Sequence, residues 1–365
     1  MKIICISAAQ IPSDTANSIQ VMKVCQAFTQ LGHEVTLLVP GSQPSDISHQ
    51  QLQSHYGLQV PFPIEWLPTR NRRLFPWKAV RRARRLDPDL LYGWPLQSAT
   101  LGLLSGKPSM LELHDFPAGR FGPLWLRLFL IYPGRKRLLP ITDTLRGALH
   151  LPKELTVIAP DGVDIERYRD LADSQSVRRQ LNLPEAPTVI CTGHLYAGRG
   201  ADLFLHLAAK FPQARFLWVG GRPADVATWQ GRAADLTNVT FTGFVPNARI
   251  PLYQSAADVL LMPYGRAVSA SSGGNIAEIF SPMKMFEYMA AGRAILACDL
   301  PVLREVLDKT MAVFCPLEQA DAWESALGGL LADPQRRKAL GQSARTAVEQ
   351  YSWVKRAQRA LEGFL

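Results

Sequence analysis

Short apolar runs with strand character alternate with helical periods along this chain, and the alternation runs its course twice. Lys2 to Ser7 is apolar and β-rich. Ser18 to Leu31 then places apolar residues at Val21, Val24 or Cys25, Phe28 and Leu31 and closes on Gly32, ahead of a second apolar run at Val35 to Val39. A strand, helix, strand unit of this kind predicts an α/β layer built on a parallel sheet, with further strands at Leu90 to Tyr92, Ser109 to Leu113, Leu138 to Thr142 and Thr156 to Ala159. Residues 170–187, with Asp173, Ser174, Asn182, Pro184 and Pro187, interrupt the pattern. It restarts at Thr188 to Thr192 and continues through Phe216 to Val219, Val239 to Thr242, Val259 to Met262 and Ala294 to Ala297. At 365 residues and 47% apolar content the chain is long enough for two cores. The expected domains are residues 1–168 and 169–350. A helix in 351–365, with Trp353, Ala357, Ala360, Leu361 and Phe364 roughly on one side, is expected to return to the first domain.

Two Rossmann-like halves facing each other predict a cleft at the carboxyl ends of both sheets, where ligands bind. Neither Gly-x-Gly-x-x-Gly after the first strand nor Gly-x-x-x-x-Gly-Lys-Ser/Thr is present, so nicotinamide and Walker-type triphosphate sites are unsupported. The stretch Glu278 to Gly292 points elsewhere. Ser281 suits an N-cap, Pro282 the first helical position and Gly292 a left-handed C-cap, which predicts a helix over about 282–291. Lys284 lies in its first turn, against the positive end of the helix dipole, where a bound phosphate would account for it. Glu287, one turn deeper, can accept two hydrogen bonds from a vicinal diol such as ribose. A plain surface helix with a Lys/Glu pair is the alternative. The loop Gly193-His-Leu-Tyr-Ala-Gly-Arg-Gly200 follows a strand and opens a helix at about Ala201, so Arg199 and Lys284 both sit at strand-to-helix junctions and together can neutralise a diphosphate.

Charge is concentrated in the first half, where residues 1–165 hold 18 Lys/Arg against 12 Asp/Glu. Arg70, Arg72, Arg73, Lys78, Arg81, Arg82, Arg84 and Arg85 are interleaved with Leu74, Phe75, Trp77 and Val80, with no acidic residue between 70 and 85. A membrane-surface helix on acidic lipids, a nucleic-acid patch and a solvated basic helix all fit this composition; nucleic acid is the least favoured, and no nucleic-acid partner is expected. Trp125 to Arg137, an apolar run abutting three cations, reads equally as a second membrane or acceptor surface or as a core helix with a basic exit. The five cysteines are scattered without a Cys-x-x-Cys pair, which fits a reducing compartment. The N-terminal apolar run reads as a first strand rather than a signal peptide, and no stretch of 18 apolar residues lacks a charge.

Taken in order, Gly32-His-Glu-Val35, Glu112-Leu-His-Asp115, Ile158-Ala-Pro-Asp-Gly-Val-Asp164, Gly193 to Gly200, Val219-Gly-Gly221, Asn238-Val-Thr-Phe-Thr-Gly243, Ala257-Asp-Val-Leu-Leu-Met-Pro263 and Ser281 to Gly292 resemble family 4 of the retaining glycosyltransferases. The resemblance covers nearly the whole chain and implies the GT-B fold, with the acceptor bound by the N-terminal domain and the nucleotide sugar by the C-terminal one. It implies a diphosphate contact at Arg199, a ribose contact at Glu287, a histidine reaching the donor sugar at His114, and main-chain contacts to the base at Phe244 and Val245. His194, next to Gly193, stands where the family usually has an arginine. The first Glu of the family's Glu-x7-Glu motif falls on Ile279, with Glu278 one residue early. The loop Ser281-Pro-Met-Lys284 resembles a subgroup in which this lysine helps hold phosphate. Asn17-Ser18 replace the usual Gly-Gly loop and are expected to donate to phosphate or acceptor, while Ser269 to Asn275 reads as a flap over the donor or a plain loop.

The implied function is transfer of a sugar from a UDP- or GDP-linked donor to a saccharide or lipid-linked acceptor in cell-surface polysaccharide or glycolipid synthesis. Front-face attack with retention is expected, the leaving diphosphate taking the acceptor's proton while Arg199 and Lys284 stabilise its charge and His114 orients the sugar. No Asp-x-Asp motif is present, and no obligatory metal is expected. The expected location is the cytoplasm, peripheral on the inner face of the membrane, with Arg72, Arg73, Trp77, Arg81, Arg82 and Trp125 toward membrane or acceptor. A non-catalytic nucleotide-sugar-binding partner subunit of a transferase complex stays open as a second reading, and a nucleotide-sugar epimerase as a third.

Overall fold

The computed structural model describes residues 1–44, 48–268 and 275–364, and the chain divides into two compact units, Met1–Asp161 with Trp353–Leu365, and Gly162–Ser352. The first unit carries β1 (Lys2–Ile6), β2 (Glu34–Pro40), β3 (Ile64–Leu67), β4 (Leu90–Gly93), β5 (Ser109–Leu113) and β6 (Lys136–Pro140), in the order β3-β2-β1-β4-β5-β6. Every pairing is parallel, and Cys5 at the centre registers with Leu37 on one side and Tyr92 on the other. Helices Ala16–Gln30 and Trp353–Leu361 pack together. Helices Phe75–Leu86, Leu96–Leu104 and Gly122–Ile131 form a second packed group. Covered faces explain why the central strands are apolar throughout rather than alternating.

The second unit repeats the plan with β7 (Thr188–Thr192), β8 (Arg215–Val219), β9 (Val239–Phe241), β10 (Val259–Met262), β11 (Ala294–Cys298) and β12 (Ala312–Cys315), ordered β12-β11-β10-β7-β8-β9. Read from its first strand, each sheet has the order 3-2-1-4-5-6 of the doubly wound Rossmann fold, which reverses direction between its first and fourth strands. These switch points lie between β1 and β4 in one unit and between β7 and β10 in the other.

Sequence and structure differ at the margins. β3 and β12 are edge strands absent from the expected set. The run expected as Leu138 to Thr142 ends at Pro140, and Thr156 to Ala159 only runs beside it, Val157 N donating to Leu138 O at 3.0 Å and Ala159 N to Pro140 O at 2.9 Å. The division falls at Asp161 rather than after 168, because Val163, Ile165 and Tyr168 bury in the second core. Trp353–Leu361 belongs to the first unit, its buried stripe being Trp353, Arg356, Ala357 and Ala360. The Arg137 guanidinium closes that helix's end, donating to the Ala360 and Glu362 carbonyls at 2.7 and 2.8 Å. The helix expected from Ser18 begins at Ala16, capped by the Thr15 hydroxyl.

Candidate functional site

At the switch point of the second sheet, β7 runs out into the loop Gly193–Gly200. Gly193 N donates to Val219 O at 2.8 Å and Gly265 N to Gly198 O at 3.0 Å, which ties the loop between β8 and the segment following β10. Only glycine serves at 198 and 200: both have positive φ, and a Cβ would lie 1.7 Å from Ala267 O and 1.9 Å from Pro263 O. Gly200 in the left-handed region starts helix Ala201–Lys210. The loop therefore brings Arg199 to the Tyr264 ring, with the guanidinium carbon 5.4 Å from the centroid. Lys284 approaches the same ring, its Nζ 4.7 Å from the centroid, so one buried tyrosine gathers both cations where β7 and β10 end.

Lys284 is the second residue of helix Met283–Ala291 and is 9% exposed. Its ammonium donates to Thr192 O at 3.0 Å and sits 3.8 Å from Cys191 Sγ. It is turned onto the end of β7, so the alternative of a plain surface helix with a Lys/Glu pair does not hold for this residue. Burial raises the Cys191 thiol above its ordinary value, with Lys284 opposing. Two further corrections concern the same helix start. Pro282, not Ser281, holds the N-cap position and supplies no side-chain cap, and Ser281 lies one residue outside the helix. Gly292 ends the helix with φ 63°.

Glu287 is half-buried and accepts from Gln254 Nε2 at 3.0 Å. Gln254 is oriented by Tyr168, whose hydroxyl donates to Gln254 Oε1 at 2.6 Å. Burial, followed by the charge of Glu287, pushes the Tyr168 phenol well up, so it stays a donor. Thr192 N donates to the Tyr288 hydroxyl at 2.8 Å, fixing the strand end that receives Lys284. Tyr264, Thr192, Gln254, Tyr168 and Tyr288 were not among the expected residues; each acts by a long-range contact that spacing does not announce. Ile279 is buried and Glu278 exposed, so the carboxylate one place out of register stands outside the core.

The His194 ring stacks on Tyr196 at 4.9 Å and 14°, and the Arg222 guanidinium lies 5.3 Å from the same tyrosine ring centroid. Phe244 and Val245 follow Gly243, which bridges to Gly220 at the ends of β9 and β8; Phe244 is exposed and Val245 packs against the core. Residues 269–274 of the expected flap lie outside the described residues.

In the first unit, His114 follows β5 and Nε2 meets Glu112 Oε1 at 2.7 Å, with a third of the imidazole side chain exposed. Burial works to raise the Glu112 carboxyl, but Arg356, His114 and Tyr92 take it down to about 2. Burial likewise pulls His114 down, and the bond and charge of Glu112 raise it overall. Asn17 is exposed. Ser18 is fully buried with its hydroxyl donating to Ser13 O at 2.6 Å and Thr15 O at 2.9 Å, so it is committed to the local turn rather than to a ligand.

The basic helix Phe75–Leu86 buries Phe75, Ala79, Val80 and Ala83 and exposes Trp77, Arg81, Arg84 and Arg85, preceded by exposed Arg72, Arg73 and Leu74. Arg82 departs from the expected surface set, because Nε pairs with Glu65 at 2.7 Å. Trp125 also departs from it, packing half-buried against the core that contains Phe75 and Val80, whereas Phe121, Leu124 and Ile131 are more than 60% exposed. Among the described residues no helix is long and apolar enough to cross a membrane, and no group of three or more His, Cys, Asp or Glu is placed to hold a metal.

The model of the Glycosyltransferase Family 4 group matches residues 18–167, and that described as Glycosyl transferases group 1 matches 186–333. A GDP-mannose-dependent alpha-(1-6)-phosphatidylinositol monomannoside mannosyltransferase of Mycolicibacterium smegmatis is 29% identical over 223 residues, 56% of this chain and 54% of that protein. The chain thus spans about half the length of this relative. A phosphatidyl-myo-inositol mannosyltransferase of the same organism is 25% identical over 352 residues, covering 91% of this chain and 85% of its own. Among solved structures, Anabaena HepE in complex with UDP and glucose superposes with a TM-score of 0.75 at 16% identity, covering 99% of this chain and 98% of that one. With a six-stranded Rossmann sheet in each unit and a glycosyltransferase model matched in each half, the chain belongs to family 4 of the glycosyltransferases and has their two-domain α/β GT-B fold.

Proposed function

We propose that the protein transfers a sugar from a UDP- or GDP-linked donor, with retention, to a hydroxyl of a saccharide or lipid-linked acceptor in glycolipid or cell-surface polysaccharide synthesis. The observation that carries this is the Tyr264 ring with Arg199 and Lys284 against it, at the switch point where a doubly wound sheet binds its ligand. Two cations held by an aromatic face, at the N-terminal ends of the helices that begin at Ala201 and Met283, suit the diphosphate. Glu287, kept in place by Gln254, suits the ribose diol. The names of the mannosyltransferase relatives make GDP-mannose the first donor to test and an inositol lipid the first acceptor.

The chemistry follows from charge. As the sugar–oxygen bond breaks, negative charge grows on the leaving diphosphate, and Arg199 and Lys284 stabilise it most where it is largest, in the transition state. The acceptor hydroxyl attacks from the same face and passes its proton to a departing phosphate oxygen, so no protein nucleophile is needed. The two fixed cations supply the neutralisation, without an obligatory metal. In the first unit, His114 offers Nδ1 to a hydroxyl of the sugar. The exposed Arg72, Arg73, Trp77 and Arg81, together with Phe121 and Leu124, suit an anionic lipid surface at the inner face of a membrane.

The test is incubation with GDP-mannose or UDP-glucose and an inositol lipid or its soluble headgroup, with the anomeric configuration of the product read by NMR. Release of nucleoside diphosphate with retained configuration, unaffected by EDTA, is expected. Inversion would overturn the mechanism, and tight binding without turnover would favour the non-catalytic partner subunit.

A further inference from the structure

Glu112 is the one charged residue in β5, a buried strand whose other residues are Ser109, Met110, Leu111 and Leu113, and it is 2% exposed. Burying a carboxylate is costly unless its lone pairs are all met, and an apolar side chain there would serve packing at least as well. The lone pairs are met. Gln20 Nε2 and the Tyr92 hydroxyl donate to it, His114 Nε2 contacts Oε1 at 2.7 Å, and Arg356 Nη2 donates to Oε1 at 2.6 Å. Gln20 cannot flip, because its Oε1 accepts from Trp94 Nε1 at 2.9 Å.

Arg356 comes from the C-terminal helix, 244 residues away in sequence, and is itself 2% exposed. Its remaining donors go to Pro160 O at 2.8 Å, Ala159 O at 3.0 Å and the Tyr92 hydroxyl at 3.4 Å. One guanidinium thus holds the segment that leaves the first unit at Asp161, the helix that re-enters it at Trp353, and the carboxylate beside His114. A mere tie between helix and sheet needs no histidine. Yet this network opens to solvent through His114, whose Nε2 is spoken for and whose Nδ1 has no hydrogen-bond partner among the described residues.

We propose that Arg356 is a positioning residue for His114, acting through Glu112, so that the C-terminal helix is part of the machinery that handles the donor sugar. The role of His114 rests on the function proposed above. With Nε2–H fixed on Glu112, Nδ1 is an acceptor when the ring is neutral and a donor when it is protonated. The charged groups acting on the ring are Glu112, Asp161 and Arg356, and the Tyr92 hydroxyl donates to Glu112 beside it. The charge of Arg356 opposes the upward pull of Glu112 on the ring.

The experiment uses the full chain with 13C,15N-labelled histidine, His114→Asn for assignment, and transfer kinetics across pH. Arg356→Met leaves the Glu112 charge uncompensated beside the ring, so the His114 titration midpoint rises by about one unit or more. In the same variant kcat falls at least about tenfold while donor KM stays within about threefold. Ala357→Gly weakens the same helix without touching the guanidinium, and lowers Tm with the midpoint unmoved. A Tm loss in Arg356→Met with midpoint and kcat unchanged overturns the proposal. If the wild type transfers no sugar, the functional reading fails, and the NMR midpoint alone decides whether Arg356 governs His114. If Arg356→Met does not fold, Arg356→Lys decides: a single ammonium nitrogen does not reproduce the forked Nε and Nη2 donors that serve Pro160 O on one side and Glu112 and Ala159 O on the other, so kcat falls several-fold and the ring 15N shifts move from a fixed Nε2–H tautomer to a mixture. Wild-type kcat and shifts in that variant overturn it equally.

Discussion

Replacing Lys284 by Met removes one charge from the proposed diphosphate site and keeps the length of the side chain. In the unliganded protein two effects oppose. The charge-assisted bond to Thr192 O and the contact with Tyr264 are lost, at about 2 kcal/mol each. The cost of holding an ammonium 9% exposed is relieved at the same time. Stability should therefore move by no more than about 2 kcal/mol, and the variant should fold. Binding has no such compensation. One charge-assisted hydrogen bond to phosphate contributes about 1.5–3 kcal/mol, so the Kd for UDP or GDP should rise roughly 10- to 150-fold. The transition state, with more charge on the leaving group, should lose more, and kcat should fall about 10²-fold. Calorimetric titration of the nucleoside diphosphate, with steady-state transfer beside it, reads both. Unchanged diphosphate affinity in a folded Lys284→Met protein would refute the placement of phosphate at the end of β7.

Glu287→Ala should weaken donor binding roughly 10²-fold through two lost hydrogen bonds to a carboxylate, and wild-type affinity in calorimetry would remove it from the site. The folded-state value of Glu112, about 2 against an ordinary 4.5, makes its contribution complete above pH 4.5 and lost as pH falls toward 2. That loss is roughly 3 kcal/mol, and a denaturant midpoint flat across this window would contradict it. Gly200→Ala drives a Cβ to 1.9 Å from Pro263 O at φ 83°, and should cost about 1–3 kcal/mol in thermal unfolding and blunt nucleotide binding. Trp77→Ala combined with Arg81→Glu should reduce retention on vesicles containing acidic lipid, at about 1 kcal/mol per basic residue, and leave neutral vesicles unaffected. Equal retention by both lipids would show the basic helix to be merely solvated.

The parts of this molecule visible in the sequence are those whose cause is local. Central strands announce themselves as apolar runs because both faces are covered. The edge strands do not: β3 is four residues between Pro63 and Pro68 and carries Glu65, which pairs with Arg82. Thr156 to Ala159 has strand composition but no neighbour beyond the edge of β6. Gly198, Gly200 and Gly292 marked their turns because left-handed backbone demands glycine. Lys284 drew attention as a cation at the wrong end of a helix dipole, although that anomaly did not disclose its burial. Tyr264, Gln254 and Thr192 remained invisible, since the tertiary fold alone brings them to Arg199, Glu287 and Lys284. Glu112 and Arg356 did leave a trace: each is a charge set in an apolar stripe, one at the fourth place of β5 and the other between Trp353 and Ala357. Such a charge seeks a partner, but one sequence does not say which.

The central claim is that the second unit holds the diphosphate of a nucleotide sugar, and thermal unfolding in the presence of UDP, GDP, ADP and their sugars tests it most directly. At about 100 times its Kd the matching nucleoside diphosphate should stabilise the protein by about 2.7 kcal/mol, and the same nucleoside without phosphate should do far less. No shift with any diphosphate, or an equal shift with the bare nucleoside, would contradict the account.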